Sequence, residues 1–228
     1  MTLQPEVAAA IASASRAINE PQNVEETLAR IVEVARTSIP GFDAVGVSTI
    51  DRAGTIETMA TTGPLVEELD GLQYGLGEGP CVDTMRGAAM VSAPDIRHEQ
   101  RWPRYVPRAV ETGLRSQLAV RLFLDDKGMV GGLNLYSTSR DDIGADAESL
   151  AELFAAHAAI ALGHAQEREG LSHALHSRKV IGQAIGILME RYQMNDDRAF
   201  AFLVRASSQT NIKLRDVAKE VVDSANVR

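Results

Sequence analysis

The chain has 228 residues, 45% of them hydrophobic and 24% charged, with a net charge of -8. These are ordinary globular values that leave no room for a disordered or fibrous chain, and the length suits two small domains. The single cysteine, Cys81, excludes an intramolecular disulfide and any multi-cysteine metal cage. No apolar run approaches the ~18 residues a bilayer span needs, and MTLQPEVAAAI lacks the basic opening of a secretory signal, so a cytoplasmic protein without membrane contact is expected.

The charge is unevenly spread. Residues 1–170 carry 14 Lys/Arg against 25 Asp/Glu, whereas residues 171–228 carry 9 against 6, so an acidic body precedes a basic tail. Local field rather than total charge sets attraction to a polyanion, which makes the tail a candidate nucleic-acid module.

In chain order, Val7, Ile11, Ala14 and Ile18 predict one amphipathic helix, and Val24, Leu28, Ile31, Val32 and Ala35 a second. Asn23 with Glu26 marks the second start and Pro40-Gly41 its stop. The period then falls to two. Residues 43–50 and 55–61 predict an antiparallel pair, 115–124 and 129–137 a second pair, and Met90-Val91-Ser92 a short extra strand. In 115–124, Leu118, Val120, Leu122 and Leu124 alternate with Gln117, Ala119, Arg121 and Phe123, giving one buried face and one facing something more polar. Residues 63–113 hold Pro64, Pro80, Pro94, Pro103 and Pro107 and read as an irregular, binding-loop region.

From about residue 145 the pattern is helical throughout. Leu150, Phe154, His157, Ala161, His164, Arg168, Leu171 and Leu175 recur at the 3.5-residue spacing of a coiled-coil seam. A helix over 145–192 would reach roughly 70 Å at 1.5 Å per residue, which predicts support from a second copy and hence a homodimer. Segments 177–192, 196–209 and 214–225 then form a small three-helix unit.

Two stretches carry resemblances. YGLGEGPCVDTM (74–85), APDI (93–96), RWPRY (101–105) and the strands LAVRLFL and GGLNLYS, behind two helices, resemble a GAF domain. That resemblance implies an antiparallel sheet with helices on one face and a small-molecule pocket on the other, closed by 63–113. SRKVIGQAIGILMERYQMNDDRAFAFLVRASSQTNIKLRDVAKEVV (177–222) resembles an ANTAR domain, the three-helix RNA-binding module of bacterial antiterminators. Its three signature elements stand at Ala184–Met189, Ala199–Leu203 and Lys213–Ala218; Ile185 stands where many members carry Lys. The fold class is therefore α+β: a GAF-like sheet with flanking helices (1–165), a long connecting helix and a three-helix bundle (166–228).

The residues support the same division. Arg178, Gly182 and Gly186 fall at i, i+4 and i+8 on one helix stripe, beside Lys179 and Gln183. Two glycines each costing about 0.8–1 kcal/mol need a reason, either close approach of a partner or packing within the bundle. Arg205, Ser208, Asn211, Lys213 and Arg215 gather around the last turn and offer cations and amide or hydroxyl groups to phosphates and base edges. Phe200, Phe202, Leu203, Leu214, Val217 and Val221 are expected in the core, and packing is the preferred role for Tyr192.

In the sensor, Cys81, Trp102, Arg121 and Asn134 are the pocket candidates. Cys81 is either a buried structural thiol or a covalent ligand site, Trp102 a lid anchor or a ring for a planar ligand, and Arg121 with Asn134 either face an anionic ligand or pair at the surface. Gly79-Pro80 opens a short helix rather than a phosphate loop. His157 and His164 are read as partly solvated seam residues, with metal binding across a dimer or pH sensing as the alternatives; no metal or other cofactor is expected. No catalytic arrangement is visible, so the expected function is an RNA-binding antitermination regulator and not an enzyme. The alternatives are a DNA-binding helix-turn-helix regulator and a GAF-type enzyme such as a methionine sulfoxide reductase, whose chemistry needs more cysteines than Cys81 alone.

Overall fold

The computed structural model describes residues 16–18, 23–51, 53–124 and 128–226. It divides into two compact units, Met1–Gln166 and Glu167–Arg228. Of the first expected helix, residues 16–18 are helical, while Val7, Ile11 and Ala14 lie outside the described residues.

Unit 1 is built on a five-stranded antiparallel sheet in the order β2-β1-β5-β4-β3. Its strands are β1 (Ala44–Ile50), β2 (Ile56–Thr61), β3 (Met90–Ala93), β4 (Ser116–Leu124) and β5 (Gly128–Ser137). The period-two patterns dictate its faces. Val45, Val47, Leu118, Val120, Leu122, Leu133 and Leu135 all point to one side. There they meet Leu28, Ile31, Val32 and Ala35 of helix α1 (Val24–Ser38) and the first part of helix α5 (Ala145–Tyr192). Asn23 caps α1 by accepting the Glu26 N–H at 2.8 Å. From α5, Ala151, Phe154, Ala155, Ala158 and Ala159 join this core.

The opposite face is not covered by an irregular region. Residues 63–113 form helices α2 (Pro64–Leu76), α3 (Pro80–Met85) and α4 (Tyr105–Glu111), strand β3 and a 3₁₀ turn at Ile96–His98. The prolines that suggested disruption serve as starts: Pro64 and Pro80 occupy the first turns of α2 and α3, where no N–H partner is lost. Helices thus cover both faces of the sheet, the second layer holding Val66, Leu69, Trp102, Tyr105, Val106 and Ala109 against Ala44, Val91, Ala93 and Tyr136.

The expected coiled-coil seam is also revised. Phe154 and Ala161 are buried in unit 1 and Leu150 packs beside them, because the sheet competes successfully for those apolar groups. Among the exposed large apolar residues of α5 are Leu153, Ile160, Leu171 and Leu175, with Met189 and Tyr192 near its end.

Unit 2 comprises the end of α5, α6 (Asp196–Thr210) and α7 (Leu214–Asn226) around Ala184, Leu188, Ala199, Leu203, Val217 and Ala218. Asn195 caps α6 by accepting the Arg198 N–H at 3.0 Å, and Asn211 ends it in the left-handed region at φ 55°.

Candidate functional site

In unit 2 all ten residues singled out for nucleic-acid contact are exposed: Arg178, Lys179, Gly182, Gln183, Gly186, Arg205, Ser208, Asn211, Lys213 and Arg215. Helical geometry explains the first five. The buried stripe of α5 here runs through Ala184 and Leu188, flanked by Val180 and Ile181, so Gly182 and Gly186 fall on the far side. A Cβ added at either glycine would meet no atom within 4 Å. Packing within the bundle therefore does not require these glycines. Met189 lies on the same stripe, three residues beyond Gly186, and is partly exposed. Ile185 is half-buried against the bundle core, so the departure from Lys adds apolar packing at the edge of this face.

Asn211 has a backbone duty, since asparagine tolerates the left-handed turn that ends α6. The Ser207 hydroxyl donates to the Ile212 carbonyl at 2.6 Å and the Lys213 carbonyl accepts the Asp216 and Val217 N–H groups, which fixes the turn that displays Lys213 and Arg215.

Phe200 and Phe202 are not core residues, being 45% and 44% exposed. The buried stripe of α6 is already complete in Ala199, Leu203 and the half-buried Ala206, and the two phenylalanines lie on either side of it. Arg198 and Arg205 stand at i-4 and i+3 from Phe202, so its exposed ring shares a helix face with two exposed arginines. Counting the α6 stripe at i, i+4 and i+7 is the signal that separates these phenylalanines from the core.

In unit 1 the face of the sheet covered by α2 and α3 carries a connected polar interior. Asn134 donates through Nδ2 to Ser48 Oγ at 2.9 Å and to Cys81 Sγ at 3.2 Å. Ser48 and the Tyr74 hydroxyl are 2.6 Å apart, and Thr58 donates to Asp70 at 2.6 Å. Tyr136 donates to Asp70 and accepts from Gln73 at 3.1 Å; Gln73 Oε1 accepts the Cys81 N–H at 2.9 Å, and Tyr105 donates to Gln117 at 2.7 Å. Burial pushes the Asp70 carboxyl above the usual carboxylate range, against the hydrogen bonds from Thr58, Tyr136 and Tyr74 that favour its ionised form. Burial, with the charge of Asp70 behind it, pushes the Cys81 thiol up to about 12, so the thiolate that redox or covalent chemistry needs is suppressed. Among the described residues, the buried Asn134 Oδ1 and Ser116 Oγ atoms have no hydrogen-bond partner. A cleft of ≈310 Å³ opens beside this interior, lined among others by Ile50, Ile56, Tyr74, Val82, Met85 and Arg86.

Of the four pocket candidates, the structure thus brings together Cys81 and Asn134. Trp102 is buried, its Nε1–H donating to Asp83 at 3.0 Å and its ring 4.4 Å from the Arg101 guanidinium. Arg121 is half-exposed at the end of β4, donating to the Gly87 carbonyl at 3.2 Å and lying over Phe123. Sequence reading missed Asp70, Gln73 and Tyr74, polar residues on a helix hidden inside a stretch taken to be irregular. Among the described residues no group of His, Cys, Asp and Glu could hold a metal ion, and no helix is long and apolar enough to cross a membrane.

An antiparallel five-stranded sheet between helices, with a polar interior on one side, defines a sensor-type module followed by a helical bundle. A GAF domain model matches residues 21–163 and an ANTAR domain model residues 169–222. The chain belongs to the GAF domain family, with an ANTAR domain behind it. No curated protein matches the chain. Among solved structures it is similar to bacteriophytochrome RpBphP3 from R. palustris, at 12% identity and a TM-score of 0.62 over 89% of this chain and 47% of that one. It is similar to the GAF domain of a phosphoenolpyruvate-protein phosphotransferase from Coxiella burnetii at 18% identity and a TM-score of 0.57, over 72% of this chain and 96% of that one. The free methionine-R-sulfoxide reductase from Neisseria meningitidis, in complex with its substrate, matches at 15% and 0.55, over 73% and 96%. The chain spans about half the length of the bacteriophytochrome; at these identities the likeness is one of fold.

Proposed function

We propose that the chain is a cytoplasmic RNA-binding regulator whose ANTAR domain grips stem-loops of a leader transcript and prevents terminator formation, under the influence of its GAF domain. The observation that carries this reading is the exposed glycine strip at Gly182 and Gly186, without an internal packing reason, beside the cations Arg178 and Lys179. A flat strip of backbone next to cations suits close approach of a phosphate backbone, while Ser208, Asn211, Lys213 and Arg215 offer groups for splayed bases. The exposed Leu153, Ile160, Leu171 and Leu175 of α5 support a homodimer through that helix, and a dimer suits paired loops because the second contact gains effective concentration once the first is made. Asn134, with its unpartnered Oδ1, and Tyr74 at the cleft support a small-molecule ligand in the GAF domain.

The test is binding of the full chain to a stem-loop RNA and to duplex DNA of matched length across a salt series. Stem-loop RNA should bind tighter, and Arg178→Ala and Lys213→Ala should each weaken it and flatten its salt dependence while leaving the fold intact. Equal or tighter binding to duplex DNA would favour the helix-turn-helix reading, and wild-type RNA affinity in both variants would move the surface elsewhere. Light scattering of the full chain checks the dimer; a monomer mass with RNA binding intact removes it.

A further inference from the structure

A second feature of unit 2 is independent of the glycine strip. A cavity of ≈390 Å³ is lined by Ser172, His173, His176, Ser177 and Val180 of α5 and by Arg215, Asp216 and Lys219 of α7. Two helix faces build it: His173, His176, Ser177 and Val180 at i, i+3, i+4 and i+7, and Arg215 and Lys219 at i and i+4. Arg215 commits its Nε to Asp216 Oδ1 at 3.3 Å, and the Glu169 carboxylate lies 3.9 Å from His173 Nε2. Among the described residues, no hydrogen bond or ion pair occupies the two Nη nitrogens of Arg215, the Lys219 ammonium or the His176 ring.

Unspent donors converging on one cavity select its ligand. A guanidinium fork, an ammonium, the His176 imidazole and two hydroxyls offer more donors than the two oxygens of a carboxylate can accept, and they suit the three or more oxygens of a phosphoryl group. Asp216 stands on the same wall and repels an anion; its charge is balanced by Arg215, which leaves Lys219 as the net fixed charge. The volume exceeds that of a bare oxyanion and falls in the range of small-molecule sites, so it leaves room for the remainder of an ester.

We infer that the cavity between α5 and α7 of unit 2 binds a phosphoryl group through Lys219, Arg215, His176 and the Ser172 and Ser177 hydroxyls. Its source is either a free phosphorylated metabolite or a backbone phosphate of bound RNA, and only the second depends on the function proposed above.

The full chain is titrated with inorganic phosphate against chloride at constant ionic strength, following the imidazole resonances of His173 and His176 by NMR. The same titration is made on His176→Gln/Lys219→Gln, whose substitutions fall on exposed positions, and RNA affinity is measured for both chains. Saturable shifts in phosphate alone, weakened at least about fivefold in the variant, are expected. If the variant also loses RNA affinity, with a salt slope lower by about one, the phosphate is the RNA backbone's. If it binds phosphate poorly and RNA normally, or if the full chain binds no RNA while phosphate still titrates, the ligand is a free phosphorylated molecule. Equal shifts in chloride and phosphate, together with unchanged RNA affinity in the variant, overturn the site.

Discussion

Replacing Gly182 and Gly186 by alanine should push stability and binding in opposite directions. Each glycine sits in the interior of α5 with open space where a Cβ would go, so alanine introduces no clash and removes a backbone-entropy cost of about 0.8–1 kcal/mol. The pair should gain about 2 kcal/mol, which for a unit as small as unit 2 raises its unfolding midpoint by roughly 10 °C. If RNA approaches along this strip, the same two methyl groups hold it off, and overpacking an interface costs about 1–3 kcal/mol, or roughly 5- to 150-fold in affinity. Thermal circular dichroism of the full chain measures the first effect and filter binding of a stem-loop RNA the second. Trp102, the single tryptophan, reports unit 1 and should see no change. A double variant that is stabilised and binds RNA like the wild type would refute the strip as an interface; one that is destabilised would show that the glycines answer to packing after all.

Gly79→Ala should act in unit 1 alone, because a Cβ there, at φ +129°, would lie 2.4 Å from Gln73 Oε1; strain of about 1–3 kcal/mol plus displacement of a buried, bonded amide predicts about 3–5 kcal/mol lost, read by Trp102 fluorescence in denaturant. A loss below about 1 kcal/mol would contradict the role given to Gln73. Asp70 carries a raised folded pKa, so the native state holds its proton where the unfolded state has lost it, and this contribution is full below the unfolded value of 3.8 and declines as pH rises through the folded pKa. Carboxylates lowered by arginines, such as Glu78 beside Arg104, act in the opposite sense below that range, and the difference between wild type and Asp70→Asn cancels them; the advantage of Asn over Asp should grow with pH, and a flat difference would remove Asp70 from the list of buried acids. Phe200→Ala and Phe202→Ala should each cost about 1 kcal/mol, well under the about 3–5 kcal/mol of a core phenylalanine, since both residues are close to half exposed; a loss of about 3–5 kcal/mol in thermal unfolding would return them to the core.

The sheet was legible because Leu118, Val120 and Leu122 of β4 and Leu133 and Leu135 of β5 recur at every second residue, and the three helices of unit 2 because Asn195 and the turn at Asn211 punctuate them. Two things were not. Proline-rich 63–113 looked irregular because proline disrupts a helix anywhere but its first turn, and a single sequence does not say which position it holds until the helix ends are known. Leu150, Phe154 and Ala161 fit a coiled-coil seam and a sheet-facing stripe equally well, since periods of 3.5 and 3.6 diverge by only ~20° per heptad; the neighbouring sheet decided it. For the candidate site, residue type located the cations of unit 2 but not the cavity they line, because Arg215 and Lys219 meet His176 only through the packing of α7 on α5. In unit 1, Cys81 and Asn134 were found by their place in motif and strand, while Asp70 and Tyr74 were hidden with α2.

Glycines in the two units carry opposite information. At Gly46, Gly131 and Gly132 a Cβ would lie 2.5–2.7 Å from Val66, the Ser48 carbonyl and Met85, so the close layers of unit 1 explain them completely and they say nothing about a ligand. At Gly182 and Gly186 the neighbouring space is empty, and helix propensity argues for almost any other residue. An unfavourable residue without an internal reason is informative about what lies outside the chain. It points to a surface that must come closer to the α5 backbone than any side chain would allow, beside Arg178 and Lys179, whose charges fit the phosphates such a surface would bring.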